Sequence, residues 1–199
     1  MTEHPDWEHS YTKDTPAAWD IGRPQPAFVR LADKGLLTRD LLDAGCGTGE
    51  NSLLAASRGA TVTGIDLSPT AIAKARAKAT ERGISARFEV ADALDLARLV
   101  FTVDTVIDSG VFHVFDDEDR ARYVASLAAA VKPGGVVYLM CFSDRQPGTW
   151  GPRRVSADEL RAAFSDGWVI ESLVADTFDI NPVEGSTTVQ AWLATITRL

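Results

Sequence analysis

The chain is short of cysteine, with only Cys46 and Cys141 among its 199 residues. A disulfide framework would need more in a chain of this size, so a reducing, cytoplasmic setting is expected. Long apolar runs are also lacking. None approaches the roughly 20 residues of a membrane span, and the polar start MTEHPDWEHSYTKD has no apolar stretch of signal-peptide length. No membrane partner is expected. Basic clusters are missing too: 20 Lys and Arg stand against 28 Asp and Glu, a net charge of −8. The densest basic stretch, Lys74 to Lys78, alternates with alanine and reads as a solvated helix face. Binding to nucleic acid requires clustered cations on phosphates, so no nucleic-acid partner is expected. No His, Cys and carboxylate group has metal-ligand spacing, and no metal is expected. His4 and His9 lie in the polar arm and are assigned no role.

What remains is an ordinary globular composition, 45% hydrophobic and 24% charged, in a chain long enough for one domain with a real core. Residues 1–23 lack a steady period but carry Trp7, Tyr11 and Trp19. These aromatics must bury against something, either as a staple of the arm to the domain or as a lid over a ligand. Pro26 suits the first turn of a helix over 26–33, which Gly35 ends. Strands are then predicted at 40–43, 60–66, 85–92, 102–110 and 136–142, and helices at 50–57, 69–82, 116–131 and 156–164. Ser68-Pro69 caps the second of these helices, and Ser156 with Glu159 forms a capping box on the last. Lys132-Pro133-Gly134-Gly135 is read as the break before the fifth strand. Two final strands, 168–174 and 187–197, are joined by a loop with Pro182 and Gly185. The pattern predicts an α/β protein, with a doubly wound, Rossmann-like, mostly parallel seven-stranded sheet and a C-terminal antiparallel hairpin.

Ligands of such sheets bind beyond the carboxyl ends of the strands. Polar or glycine-rich stretches sit at that edge after four strands: Asp43 to Gly49, Asp66, Asp92, and Asp108 to His113. The first of these, Asp43-Ala44-Gly45-Cys46-Gly47-Thr48-Gly49, is a turn into a helix whose glycines let a ligand approach the backbone. A dinucleotide fingerprint would have Gly or Ala at position 50, where Glu50 stands. A pyrophosphate would also be repelled by Asp43 and Glu50. The Gly-Lys-Ser/Thr of an ATPase loop is absent. A cationic or zwitterionic cofactor suits the loop better. Asp66 follows Gly45 by 21 positions, where an acid for the ribose hydroxyls is expected.

In these residues, together with Gly64-Ile65-Asp66-Leu67-Ser68, Ala91-Asp92-Ala93 and Lys132-Pro133-Gly134-Gly135, the chain resembles the class I S-adenosylmethionine (SAM) dependent methyltransferases. The resemblance implies that Gly45, Cys46, Gly47 and Gly49 pack against the methionine end of SAM, and it counts Asp43 among the cofactor-binding residues. It gives the ribose to Asp66 and the exocyclic amine of adenine to Asp92, with Leu67 and Ala93 flanking the ring. Asp108 joins the cofactor contacts, and S-adenosylhomocysteine (SAH) is the product. Residues 1–35 are then an arm and helix covering the active site, and 36–199 the catalytic domain, within one structural unit.

A narrower resemblance rests on Thr15 to Pro26, on Asp108-Ser109-Gly110-Val111-Phe112-His113 and on Ser156 to Phe164. These stretches are similar to the thiopurine, thiol and halide methyltransferase branch, and to mycobacterial methyltransferases of hydroxyquinolone- and benzoquinone-type toxins. It implies that Trp19 covers the cofactor and that the loop after the fourth strand lines the pocket of a small-molecule methyl acceptor. That acceptor is expected to be an O, N or S nucleophile on a small aromatic or heterocycle. Phe112, Phe115, Phe142 and Trp150 are candidates for an aromatic pocket, with core packing as the alternative, favoured for Phe142 because it ends a strand. Arg145, Arg153 and Arg154 surround Trp150 and would favour an anionic or carbonyl-bearing acceptor if they face it. His113 is the candidate general base, with a hydrogen-bonded wall residue as the alternative. A thiol or halide acceptor would need no base. A non-catalytic SAM- or nucleotide-binding module is the competing reading from another class.

Overall fold

Strand, glycine turn and helix repeat along the chain much as the sequence pattern predicts. The computed structural model describes residues 6–199; His4 and the rest of the first five residues lie outside the described part. Strands β1 (Asp40–Ala44), β2 (Thr61–Asp66), β3 (Arg87–Val90), β4 (Val103–Ser109), β5 (Val131–Phe142), β6 (Trp168–Val183) and β7 (Ser186–Arg198) form one sheet in the order β3-β2-β1-β4-β5-β7-β6. The first five run parallel, and β7 pairs antiparallel with both β5 and β6. The helices are α1 (Trp7–Thr12), α2 (Pro26–Asp33), α3 (Glu50–Ser57), α4 (Pro69–Arg82), α5 (Asp117–Ala130) and α6 (Ala157–Ala163). The strand order reverses between β1 and β4, which opens a crevice beyond their carboxyl ends.

The side-chain alternation of the central strands builds the core on both faces of the sheet. Leu42 and Val106 join Leu139, Tyr123 and Leu127 on one face. Their neighbours Leu41 and Ile107 join Phe28, Met140 and Phe178 on the other. The predicted stops hold: Ser68 Oγ accepts the Ala71 N–H (3.0 Å), Gly83 ends α4 in the left-handed region, and the Ser156–Glu159 box closes on α6.

Three elements differ from expectation. The arm carries a short helix, α1, despite its irregular pattern. Lys132 to Gly135 do not precede β5 but bulge out of it, since Val131 pairs with Val103 and pairing resumes at Val136 opposite Thr105. The largest departure is β6, expected to end at 174 but running to Val183. Its ladder with β7 continues from Ala175–Trp192 to Asp179–Thr188. Pro182 falls in the irregularity that follows, where no ladder N–H is required.

Candidate functional site

A cavity of about 760 Å³ opens at the carboxyl edge of the sheet. Among the sequence-predicted residues, Trp19, Gly45, Cys46, Gly47, Gly49, Asp66, Leu67, Asp92, Ala93, His113, Phe115 and Trp150 line it. Asp43, Asp108 and Phe112 do not; they lie in the packed interior behind its wall.

The glycine loop is built from left-handed backbone. Gly45, Gly47 and Gly49 all have positive φ (66°, 53° and 86°). A Cβ at Gly45 would stand 2.2 Å from Val111 Cγ2, and one at Gly47 would stand 2.8 Å from the Tyr11 hydroxyl. The loop is pinned from below: Asp66 accepts the Gly47 N–H on one oxygen and the Ser68 N–H on the other, both at 2.9 Å. Burial raises the Asp66 carboxyl above its usual range. Glu50 is braced by Lys78 and Arg82 of α4, each at 2.8 Å. Burial pushes its carboxyl up, but the bonds from Arg82 and Lys78 outweigh this and hold it low.

Asp43 and Asp108 are both sealed from solvent, and burial pushes each up to about 7. Asp43 accepts the Ser52 hydroxyl (2.6 Å) on one oxygen, while Oδ1 has no partner among the described residues. Asp108 is fully used in shaping the next loop. It accepts the N–H groups of Val111 (2.7 Å) and Phe112 (3.1 Å) and the Tyr123 hydroxyl (3.1 Å).

The far half of the cavity is aromatic. His113 sits edge-on to Phe142 and Phe178, with ring centroids 5.1 and 6.0 Å apart. Its Nδ1 accepts the Phe142 N–H at 3.0 Å. Burial, with repulsion from Arg120 and Arg154, pushes the imidazole down to about 3. Phe142 both packs in the core and lines the cavity, with Trp150 edge-on at 6.2 Å. Phe112 is instead buried against Phe164, beneath the Arg120 guanidinium at 4.8 Å. The three arginines beside Trp150 are occupied. Arg145 lies over Trp192, and Arg153 bridges Asp117 and Glu159. Arg154 stacks on Phe142 and donates to the carbonyls of Trp150 and Pro152 at 2.8 Å.

The arm forms the remaining wall. Trp19 Nε1 donates to the Tyr11 hydroxyl (2.9 Å), Trp7 packs edge-on to Trp19, and Glu8 accepts the hydroxyls of Ser68 and Thr70. Asn181 donates to the carbonyls of Ala17 (2.8 Å) and Asp20 (2.9 Å), and Gln25 exchanges two bonds with the Asp179 backbone. Asn181, Asp179 and Phe178 fall in the stretch between 174 and 187 that Pro182 and Gly185 mark as loop, although β6 runs through them to Val183. The apolar–polar alternation of Phe178-Asp179-Ile180-Asn181 carries the strand signal that could have found them.

A switch-point crevice with a glycine loop after β1 and acids after β2 and β3 defines a nucleoside-cofactor α/β protein. Residues 41–135 match the methyltransferase domain family. The chain is 36% identical over 176 residues to 2-heptyl-1-hydroxyquinolin-4(1H)-one methyltransferase of Mycobacteroides abscessus, covering 84% of this chain and 78% of that protein. It is 26% identical to probable thiol methyltransferase 2 of Arabidopsis thaliana, covering 94% and 83%. A solved protein described under the conversion of a disulfide bond into a thioacetal group during echinomycin biosynthesis is 43% identical. It superposes with a TM-score of 0.83, covering 91% of this chain and 84% of that one. The chain belongs to the methyltransferase family and is a SAM-dependent methyltransferase.

Proposed function

We propose that the protein moves a methyl group from SAM to an O, N or S nucleophile on a small aromatic or heterocyclic molecule. The carrying observation is that one cavity joins the glycine loop to an aromatic wall of Phe142, Trp150 and Phe178. The residues present suit SAM. The partnerless Asp43 Oδ1 lies buried beneath the loop, an acceptor that no protein donor among the described residues fills and that a donor bridging from the cofactor's amino group would satisfy. Leu67 is an apolar side chain left 48% exposed at the cavity, which a bound adenine would cover. In this reading Gly45, Cys46, Gly47 and Gly49 hold the methionine end, Asp66 the ribose, Asp92 the adenine amine, and Leu67 and Ala93 its faces. Asp43 and Asp108 act from behind the wall, Asp108 by fixing the loop of Val111 to Phe115. Trp19 and the arm cover the cofactor.

SAM supplies an electrophilic methyl group on a sulfonium with a good leaving group. The protein therefore contributes alignment and exclusion of water. The aromatic wall stacks a flat acceptor, and the arm closes the solvent side. Similarity to the hydroxyquinolone methyltransferase favours a hydroxylated heterocycle. Similarity to the thiol methyltransferase carries the second reading, a thiol acceptor. Two free cysteines support a cytoplasmic location. The test is a transfer screen over 1-hydroxyquinolin-4(1H)-one, phenols, thiols and iodide, read as SAH formed. Preference for the hydroxylated aromatics supports the first reading; turnover of thiols or iodide alone replaces it with the second.

A further inference from the structure

In the aromatic half of the cavity the backbone dictates the hydrogen-bonding state of His113. The Phe142 N–H points at Nδ1 (3.0 Å), so Nδ1 must offer a lone pair. A neutral imidazole with a lone pair on Nδ1 carries its proton on Nε2. That Nε2 makes no hydrogen bond among the described residues, yet it is not sealed off as the partnerless Asp43 oxygen is. His113 as a whole is only 7% exposed and lines the cavity. Gly110 leaves the same ring edge open: a Cβ there would stand 3.1 Å from Cε1 and 3.3 Å from Nε2.

We propose that His113 presents a fixed Nε2–H donor to the methyl acceptor, so that the site takes the ionised hydroxyl of a phenol or hydroxylated heterocycle and His113 removes no proton from it. This rests on the small-aromatic reading above. Nε2 cannot receive a proton it already holds. Moving the proton to Nδ1 would set two N–H groups against each other in a buried site, where an unmatched donor costs about 1–3 kcal/mol. Charges near the ring agree. Arg120 of α5 and Arg154 of the loop after β5 are positive and disfavour the imidazolium, and Arg153, which lines the cavity, bridges Asp117 and Glu159. Asp179 of β6 lines the cavity with its carboxylate paired to Arg23 at 2.8 Å. Transfer to the oxyanion forms one O–C bond and breaks one S–C bond. It consumes an anion and a sulfonium, yields two neutral groups and leaves no proton to dispose of.

The test uses the full chain with ¹⁵N-labelled histidine, in which the His113 signals are those lost in His113→Gln. In the ligand-free protein they should show the Nε2–H form without change between about pH 5 and 8, the range where an ordinary histidine changes charge. Adding 4-nitrophenolate with SAH should shift Nε2, and His113→Leu should weaken binding of 4-nitrophenolate at least about tenfold, ~1.4 kcal/mol, while SAH affinity is unchanged. A proton on Nδ1, a titration near neutrality, or no Nε2 response to the bound phenolate would each overturn the proposal. The first two are read without ligand, so they hold or fail independently of whether any acceptor is methylated.

Discussion

At the scale of the residue, the carboxylates at the strand ends divide by what they face. Asp66 lines the cavity while its carboxylate ties down the glycine loop, so it belongs to both scaffold and ligand space. Asp66→Ala should weaken SAM and SAH by about tenfold or more, ~1.4 kcal/mol, in calorimetry; unchanged affinity would remove the ribose assignment. Asp43 faces inward, and its consequence is for stability. Burial favours its protonated form, so in the folded state it keeps a proton that the unfolded chain loses above about pH 4. That contribution is present below the unfolded value of 3.8 and is lost as pH rises to about 7. Its full size is at most about 4 kcal/mol. Asp43→Asn should therefore gain on the parent protein as pH rises from about 4 to 8 in urea unfolding, the gain levelling near neutrality. A stability difference that does not vary with pH would contradict this. Both acids were legible as strand-end residues. Which of them reached the cavity was not, because that depends on how Val111 and Ser52 pack.

At the scale of the element, the arm and β6 act as one unit. The sequence pattern predicts that Trp7, Tyr11 and Trp19 bury; Tyr11 does and Trp7 is half-buried, but Trp19 stays 46% exposed where it lines the cavity. What no local pattern shows is the hold on the far end of the arm, through contacts across more than 150 positions, from Asn181 to the Ala17 and Asp20 carbonyls and between Gln25 and Asp179. Pro182 hid the strand that makes them, since a proline argues locally against pairing. The near end of the arm is held differently, by Glu8 on the hydroxyls of Ser68 and Thr70 at the start of α4 and by Lys74 on the Tyr11 carbonyl (2.7 Å). Glu8→Ala should speed amide hydrogen exchange of residues 7–20 several-fold while leaving β1, β4 and β5 unchanged. Equal exchange in the arm of both proteins would mean that β6 alone holds it.

At the scale of the whole molecule, the regular half of the chain was readable because each glycine, cap and apolar run told the same story. Residues 40–130 followed it closely, since parallel strands buried on both faces leave strong apolar runs. The acceptor side was less legible. It is assembled from β4, β5, β6 and the arm, and no local pattern shows which of their aromatics share one wall. Phe112 and Phe142 show the difference: Phe112, in the loop after β4, is sealed beneath Arg120, whereas Phe142, at the strand end where core packing is the stronger expectation, faces the cavity. No helix among the described residues is long and apolar enough to cross a membrane. Single-turnover transfer from methyl-¹³C-labelled SAM to 1-hydroxyquinolin-4(1H)-one, followed by NMR, decides whether one cavity aligns SAM with a hydroxylated heteroaromatic. One O-methyl product should form for each SAH; SAM consumed without a labelled O-methyl group, or no turnover at all, would overturn that alignment.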